Sequence, residues 1–283
     1  AIVHNRKVLE VDPNFPGAHN NLAALLLLHG RPAEALAAAV QGLLRDDAVG
    51  LKTTFVMALR QLDLAAIKRD PNLVQLLVRA LREPWSRPRD LSAAAGAILL
   101  RSQAMARCVE HQSREGAMRL ADMFSATDLD ALGSDGLFDA LLTSAPVTTM
   151  AIERVLTAIR RAALNEIASG EFENSGAWLP LITSIGQQGF INEYIFDVSE
   201  SEKAQLENLR ADVADAATRN ETIAPLKLAI LASYLPLHSL SGAETLAAQP
   251  WPGELAALLK QQITDPRGEN QIRASIERLT AIE

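Results

Sequence analysis

The polar residues best suited to chemistry stand together at Asn192, Glu193 and Tyr194. An amide, a carboxylate and a phenol in a row could form a polar site inside an otherwise apolar helix. The same side chains could instead bond to neighbouring helix ends, since buried polar groups need partners, or contact a partner protein. We expect a structural network at these three residues.

A second candidate is the sequence Cys108, Val109, Glu110, His111. A thiolate nucleophile needs a base and an orienting group, and a zinc site needs three or four ligands. The five histidines form no i, i+4 pair that could complete such a site, and no glycine-rich loop follows a strand to cradle a phosphate or dinucleotide. We therefore predict no metal, no cofactor and no catalytic residue within this chain, and a core position for Cys108.

The elements that position these residues are predicted to be helices. Hydrophobic residues make up 48% of the 283 residues, but aromatic residues only 4%, and a composition rich in Ala and Leu favours helix packing over sheets. Apolar stripes predict helices over 52–69 and 176–197, although the β-formers at 190–198 could also be extended. No apolar run reaches the ~18 residues of a membrane span, so the sequence predicts an all-α protein that does not cross a membrane.

Charge is distributed unevenly along the chain. Residues 1–90 carry 12 Lys and Arg against 9 Asp and Glu, whereas residues 91–283 carry 15 against 25. This shift, and the Pro-rich breaker at 83–88, predict a domain over 1–85 and an α-helical domain over 86–283. The net charge of -7 argues against nucleic-acid binding, and a single cysteine favours a cytoplasmic setting.

A helix–turn–helix pattern occupies residues 16–47. Leu22 and Ala23 form a large–small pair, Gly30 ends the first helix, Pro32 opens the second, and Ala35 lets the two helices approach closely. The pattern resembles a tetratricopeptide repeat, a unit that serves as an interaction scaffold. Residues 1–13 resemble the end of a preceding repeat, so we expect a piece of a larger protein, with a partial array packed on an irregular helical domain.

The first helices of such arrays line a groove. Here that helix would present Asn20, Ala24, Leu27 and Leu28. Capture of a peptide carboxylate needs Lys, Arg and Asn at the groove, and only Asn20 qualifies. We expect this apolar face to be covered by the chain's own next helices or by an apolar partner helix.

Several segments of the second half resemble bacterial proteins that carry tetratricopeptide repeats and a class I S-adenosylmethionine-dependent methyltransferase-like domain. The segments that carry this resemblance are 144–147, 153–161, 190–196, 232–238, 250–252 and 273–282. The resemblance implies that S-adenosylmethionine would bind a further domain after Glu283, so no cofactor residue is assigned here.

The sequence therefore predicts a non-catalytic helical module that binds a protein partner or its own catalytic domain. One alternative is that the helical domain completes the active site of a downstream methyltransferase, with Asn192, Glu193 and Tyr194 as candidates. Another is an adaptor for a glycosyltransferase, because tetratricopeptide arrays also precede such enzymes.

Overall fold

The computed structural model describes residues 1–15, 17–83, 85–112, 119–170 and 177–275. Within these ranges the chain forms helices and no strand, which confirms the all-α fold class. Two compact units are present, one made of 1–110 and 134–153 and the other of 111–133 and 154–283. Residue 85 lies inside the first unit, and the domain boundary there stays a prediction.

The α-helices follow one another through the described ranges. In chain order they are α1 (Ile2–Val11), α2 (Ala18–Leu28), α3 (Pro32–Leu43), α4 (Val49–Gln61), α5 (Pro71–Arg82), α6 (Ser92–Leu99), α7 (Gln103–His111), α8 (Leu120–Met123), α9 (Ala126–Gly133), α10 (Gly136–Ser144), α11 (Met150–Ser169), α12 (Leu179–Ile191), α13 (Glu200–Thr218), α14 (Pro225–Ala232), α15 (Ala243–Ala248), α16 (Gly253–Leu259) and α17 (Asp265–Ser275). Short 3₁₀ turns lie at Leu64–Ala66, Pro88–Asp90 and Leu237–Ser239, and a π-helical turn lies at Lys260–Thr264.

The helix–turn–helix predicted near the start of the chain is formed by α2 and α3. Gly30 has a left-handed φ of 68° just after α2, a conformation that favours glycine, and Pro32 is the first residue of α3. Ala23, Ala35 and Ala39 are fully buried. Small side chains thus allow the close approach of the two helices, as the sequence predicts.

The helix predicted over 52–69 is shorter in the structure. α4 ends at Gln61, and the Asp63 carboxylate accepts a hydrogen bond from the backbone N–H of Ala65 at 3.0 Å. This side-chain bond stabilises a 3₁₀ turn in place of continued helix. The next helix starts where expected, because Asp70 accepts from the N–H of Leu73 at 3.0 Å.

An aromatic and ionic cluster closes one side of the first unit around Trp85. The Trp85 ring packs edge-on against the buried Phe55 at 5.7 Å, and the cations of Lys52 and Arg79 lie 5.2 Å from its centre. Its Nε1 donates to the Glu83 carboxylate at 2.6 Å. Salt bridges from Arg79 hold the pKa of Glu83 below its usual range. The cluster shields Phe55 from water.

In the second unit, α12 packs against α14 and α16. A Cβ at Gly189 would lie 3.1 Å from the carbonyl oxygen of Ser233, and one at Gly186 would lie 3.3 Å from Leu258. These two glycines therefore let α12 approach its neighbours closely.

Candidate functional site

The predicted groove residues lie on α2 but differ in exposure. Leu28 is 82% exposed, whereas Asn20, Ala24 and Leu27 are half-buried. α2 contacts α1, α3 and α4, so the chain's own helices cover part of this face. The role of these residues in partner binding stays a prediction, with Leu28 as the most accessible of the four.

The ends of α2 and α4 are brought together at Asn20 and Gly50. A Cβ at residue 50 would overlap the amide oxygen of Asn20, so the helices approach here because residue 50 has no side chain. Because α3 packs against both α2 and α4 and is joined to each by a short connection, we infer that α2 and α4 run in the same direction. Because an α-helix rises about 1.5 Å per residue, we infer that the exposed Leu28 and Met57 lie at a similar height on the pair.

A surface depression of about 270 Å³ lies at that height on α4, lined by Met57, Arg60 and Gln61. Met57 is 44% exposed, and Arg60 and Gln61 are also exposed. The depression therefore offers an apolar contact beside a cation and an amide.

A second cavity of about 240 Å³ lies at the opposite end of α2, beside Asn20. Its lining residues are Asn14, Phe15, Gly17, His19, Asn20, Gly42, Arg45, Asp46 and Leu51. Arg45 Nε donates to the Asn14 side-chain oxygen at 3.2 Å, and His19 Nε2 donates to the Pro13 carbonyl oxygen at 2.9 Å. A cation thus lies near Asn20, a neighbour that sequence reasoning missed because Arg45 belongs to the end of the following helix.

Asn192, Glu193 and Tyr194 form a turn, not part of a longer helix. The helix predicted over 176–197 ends at Ile191, because Glu193 and Tyr194 take left-handed conformations with φ of 53° and 57°. Asn192 is buried, Glu193 is exposed and Tyr194 is half-buried. Burial raises the pKa of Tyr194, and within the described residues its hydroxyl has no hydrogen-bond partner.

The main polar cluster of the second unit adjoins this turn at Phe196 and Asp197 and is centred on Arg160 of α11. Arg160 is 2% exposed and is the largest of the fully buried side chains in the described chain. Its guanidinium carbon lies 4.1 Å from the centre of the Tyr234 ring and 5.0 Å from that of Phe196. Its Nη2 donates to the carbonyl oxygen of Asp197 at 2.8 Å and its Nη1 to that of Ser233 at 3.4 Å. One side chain therefore joins α11 to the segments that follow α12 and α14.

Glu202 supplies the negative charge of this cluster and is 1% exposed. Its carboxylate accepts from the Tyr234 hydroxyl at 2.8 Å, from Arg161 Nε at 3.0 Å, and from the N–H and hydroxyl of Ser199 at 2.9 and 2.8 Å. Ser199 and Glu202 also form the capping box that starts α13. The carboxylate thus fixes the start of α13 to α11 and to the end of α14.

The pKa values of the cluster follow from burial and hydrogen bonding. Burial lowers the pKa of Arg160 and raises that of Tyr234. Burial alone would raise the pKa of Glu202, but the bonds from Ser199, Tyr234 and Arg161 outweigh it and hold this pKa below its usual range. A carboxylate with about four acceptor sites is nearly saturated by these donors, so its geometry suits joining elements better than moving protons.

A second buried group, Gln262 of the π-helical turn, joins three backbone segments. Its Nε2 donates to the carbonyl oxygens of Gly186 at 2.9 Å and Ala232 at 3.1 Å, and its Oε1 accepts from the N–H of Leu237 at 3.2 Å. The amide is fully buried and each of these bonds reaches across the fold.

The remaining candidates, a reactive cysteine and a metal site, can be checked within the described ranges. Cys108 is buried, and no group of three or more His, Cys, Asp and Glu residues there is placed to hold a metal ion. The helices that the structure describes include none with the length and apolarity needed to cross a membrane.

Arg160 lies in the segment 153–161, which carries the resemblance, but the sequence predicts no role for it. The available signal was helical spacing, because Leu156 and Leu164 lie one turn before and one turn after Arg160 and both are buried. A charged residue on the apolar stripe of a helix points to a buried polar contact. Its partners lie too far along the chain for any local pattern to identify.

Comparison with known proteins gives one match. The family model of the tetratricopeptide repeat matches residues 5–37, which run from α1 into α3. This match supports a tetratricopeptide repeat protein. No curated protein and no solved structure matches the chain. Of the resemblance segment 273–282, residues 276–282 lie outside the described residues.

Proposed function

We propose that this chain is a non-catalytic helical module that binds or positions a protein partner. The observation that carries the proposal is the repeat match over 5–37, which coincides with a helix–turn–helix on which α4 is stacked. Stacked helical hairpins of this kind act as scaffolds through their extended surfaces.

The proposed contact surface combines Leu28 on α2 with the depression at Met57 and Arg60 on α4. Leu28 and Met57 expose apolar side chains, and Arg60 adds a positive charge at the rim. A partner segment with an apolar residue beside a carboxylate would complement both features.

A pair of substitutions tests this surface. The tagged chain is used to isolate partners from cells that produce it, in parallel with the double variant Leu28→Asp, Met57→Asp and the control Ile272→Asp. Ile272 is 63% exposed but belongs to the second unit. We expect a partner retained by the wild type and the control to be lost by the double variant. Retention by all three would contradict the proposed surface.

The proposed non-catalytic role is tested separately with S-adenosylmethionine, the methyl donor that the resemblance implies. Isothermal titration of the chain with S-adenosylmethionine is expected to give no binding. Micromolar binding of S-adenosylmethionine by this chain alone would overturn the proposal that it is non-catalytic.

We further propose that the module belongs to a cytoplasmic bacterial protein with a methyltransferase-like domain, which would bind S-adenosylmethionine elsewhere. The support is the resemblance itself.

The second candidate function, in which the helical domain completes a methyltransferase site, is favoured by the left-handed turn at Glu193 and Tyr194. Residues held in such conformations cluster at functional sites. Alanine substitution of Asn192, Glu193 and Tyr194 in the full protein discriminates between the two proposals. Loss of methyl transfer with unchanged melting favours the site, and unchanged transfer contradicts it.

A further inference from the structure

The turn after α12 has an uncommon backbone conformation. Glu193 and Tyr194 are consecutive residues with side chains, and both have φ in the left-handed region. Side chains disfavour this region because Cβ crowds the following carbonyl oxygen. The turn is therefore held against side-chain preference, by local hydrogen bonds to the end of α12 and by contacts with the rest of the unit.

The contacts that hold the turn lie on both sides of it. Before it, the N–H of Tyr194 donates to the Gly189 carbonyl oxygen at 2.9 Å, and the Tyr194 ring packs edge-on against Phe190 at 6.5 Å. After it, the buried Phe196 ring lies against the Arg160 guanidinium. Between these anchors, Ile195 is 72% exposed.

The closed arrangement also leaves polar groups without partners. The Tyr194 hydroxyl and the Arg160 Nε are buried and make no hydrogen bond within the described chain. Such groups lose their bonds to water without compensation. The turn thus carries both left-handed backbone conformations and a buried hydroxyl without a partner, while its closure depends on Arg160 of another helix.

We propose that residues 192–197 form a latched turn, which opens as a local unit while the surrounding helices stay folded, and that Arg160 is the latch. The open turn would release the Phe196 ring and the Asp197 carbonyl oxygen from the guanidinium. The closed turn presents Ile195 and Glu193 to solvent. This conformational device lies in the second unit and is independent of the binding surface proposed for α2 and α4.

Hydrogen–deuterium exchange of the full chain tests the latch in the wild type. The amides of Asn192, Glu193, Tyr194 and Ile195 are hydrogen-bonded when the turn is closed, so their exchange reports opening. We expect exchange in 192–197 to be faster than in the centres of α11 and α14 and insensitive to low urea, because local opening exposes little surface. Exchange as slow as in those helices, with the same urea response, would overturn the proposal.

Two substitutions are expected to act in opposite directions. Arg160→Lys removes the guanidinium fork and should speed exchange of the turn by about tenfold. Glu193→Gly removes strain at a left-handed position and should slow it by about threefold. The control Asn220→Gly changes another described residue with a left-handed φ, 54°, at the end of α13, and should leave exchange of 192–197 unchanged.

The glycine variant keeps the test decisive if Arg160→Lys unfolds the unit. Glu193 is exposed, so its substitution removes no core contact. Unchanged or faster exchange in 192–197 of a folded Glu193→Gly variant would show that the turn is not under strain, and the latch would be rejected.

Discussion

The cores of the two units are built from different side chains, although both units are helical. In the first unit, Ala23, Ala35 and Ala39 are fully buried where α2 and α3 meet. In the second unit, Arg160, Glu202 and Gln262 are buried and bond to segments distant in sequence. Small residues set the close approach of α2 and α3 in the first unit. The second unit adds polar side chains that bridge loops to the close approach that Gly186 and Gly189 allow.

The two units should be damaged by opposite kinds of substitution. A core packed through small residues is damaged by added atoms, because there is no space for them. A core joined by buried polar groups is damaged by removal of one group, because its partners are left unsatisfied. Added atoms should therefore destabilise the first unit, and removal of a buried polar group should destabilise the second.

Removal of the central cation of the second unit should have the largest effect. We expect Arg160→Met to lower the free energy of unfolding of that unit by about 3 kcal/mol, through lost carbonyl bonds and lost stacking on two rings. Urea unfolding followed by hydrogen exchange in α11 measures it. The control Arg154→Met, exposed on the same helix, should stay within about 0.5 kcal/mol. Equal effects at the two positions would contradict the contrast between the units.

Removal of the anion should have a smaller effect that depends on pH. The pKa of Glu202 is lower in the folded chain than its ordinary value of 4.5, so its stabilisation is complete above that value and is lost as pH falls through the folded pKa. Glu202→Gln should cost about 2 kcal/mol at pH 7 and reduce the fall in melting temperature between pH 7 and pH 3. An identical pH profile in the variant and the wild type would count against this role.

Addition of one methyl group to the first unit should have the smallest of the three effects. A Cβ at Gly42 would lie 2.8 Å from the Leu51 side chain and 2.9 Å from the Cβ of His19. Gly42→Ala should therefore cost about 1 kcal/mol, after the gain in helix propensity is subtracted. Gly136→Ala, with no neighbour within 4 Å of the new atom, serves as the control in urea unfolding and should be neutral or stabilising.

The same contrast explains which features the sequence could predict. Gly30, Pro32 and Ala35 are local signals, and their pattern correctly predicts the α2–α3 hairpin and the all-α class. The helix end at Ile191 was missed because the apolar pattern continues through Phe196 while the backbone reverses at Glu193. The Arg160 cluster was missed because hydrogen bonds to Asp197 and Ser233 depend on tertiary contacts.

The close approach of Gly50 to Asn20 links two positions that lie on different helices. A Cβ at position 50 would overlap the Asn20 side-chain oxygen as it is now placed, so a larger residue there requires the amide to move or position 20 to carry a smaller side chain. In related chains a side chain at position 50 should therefore be found more often with a small residue at position 20. A chain with alanine at both positions would lack the Asn20 amide of the predicted groove. Position 50, at the start of α4, would then accept a side chain.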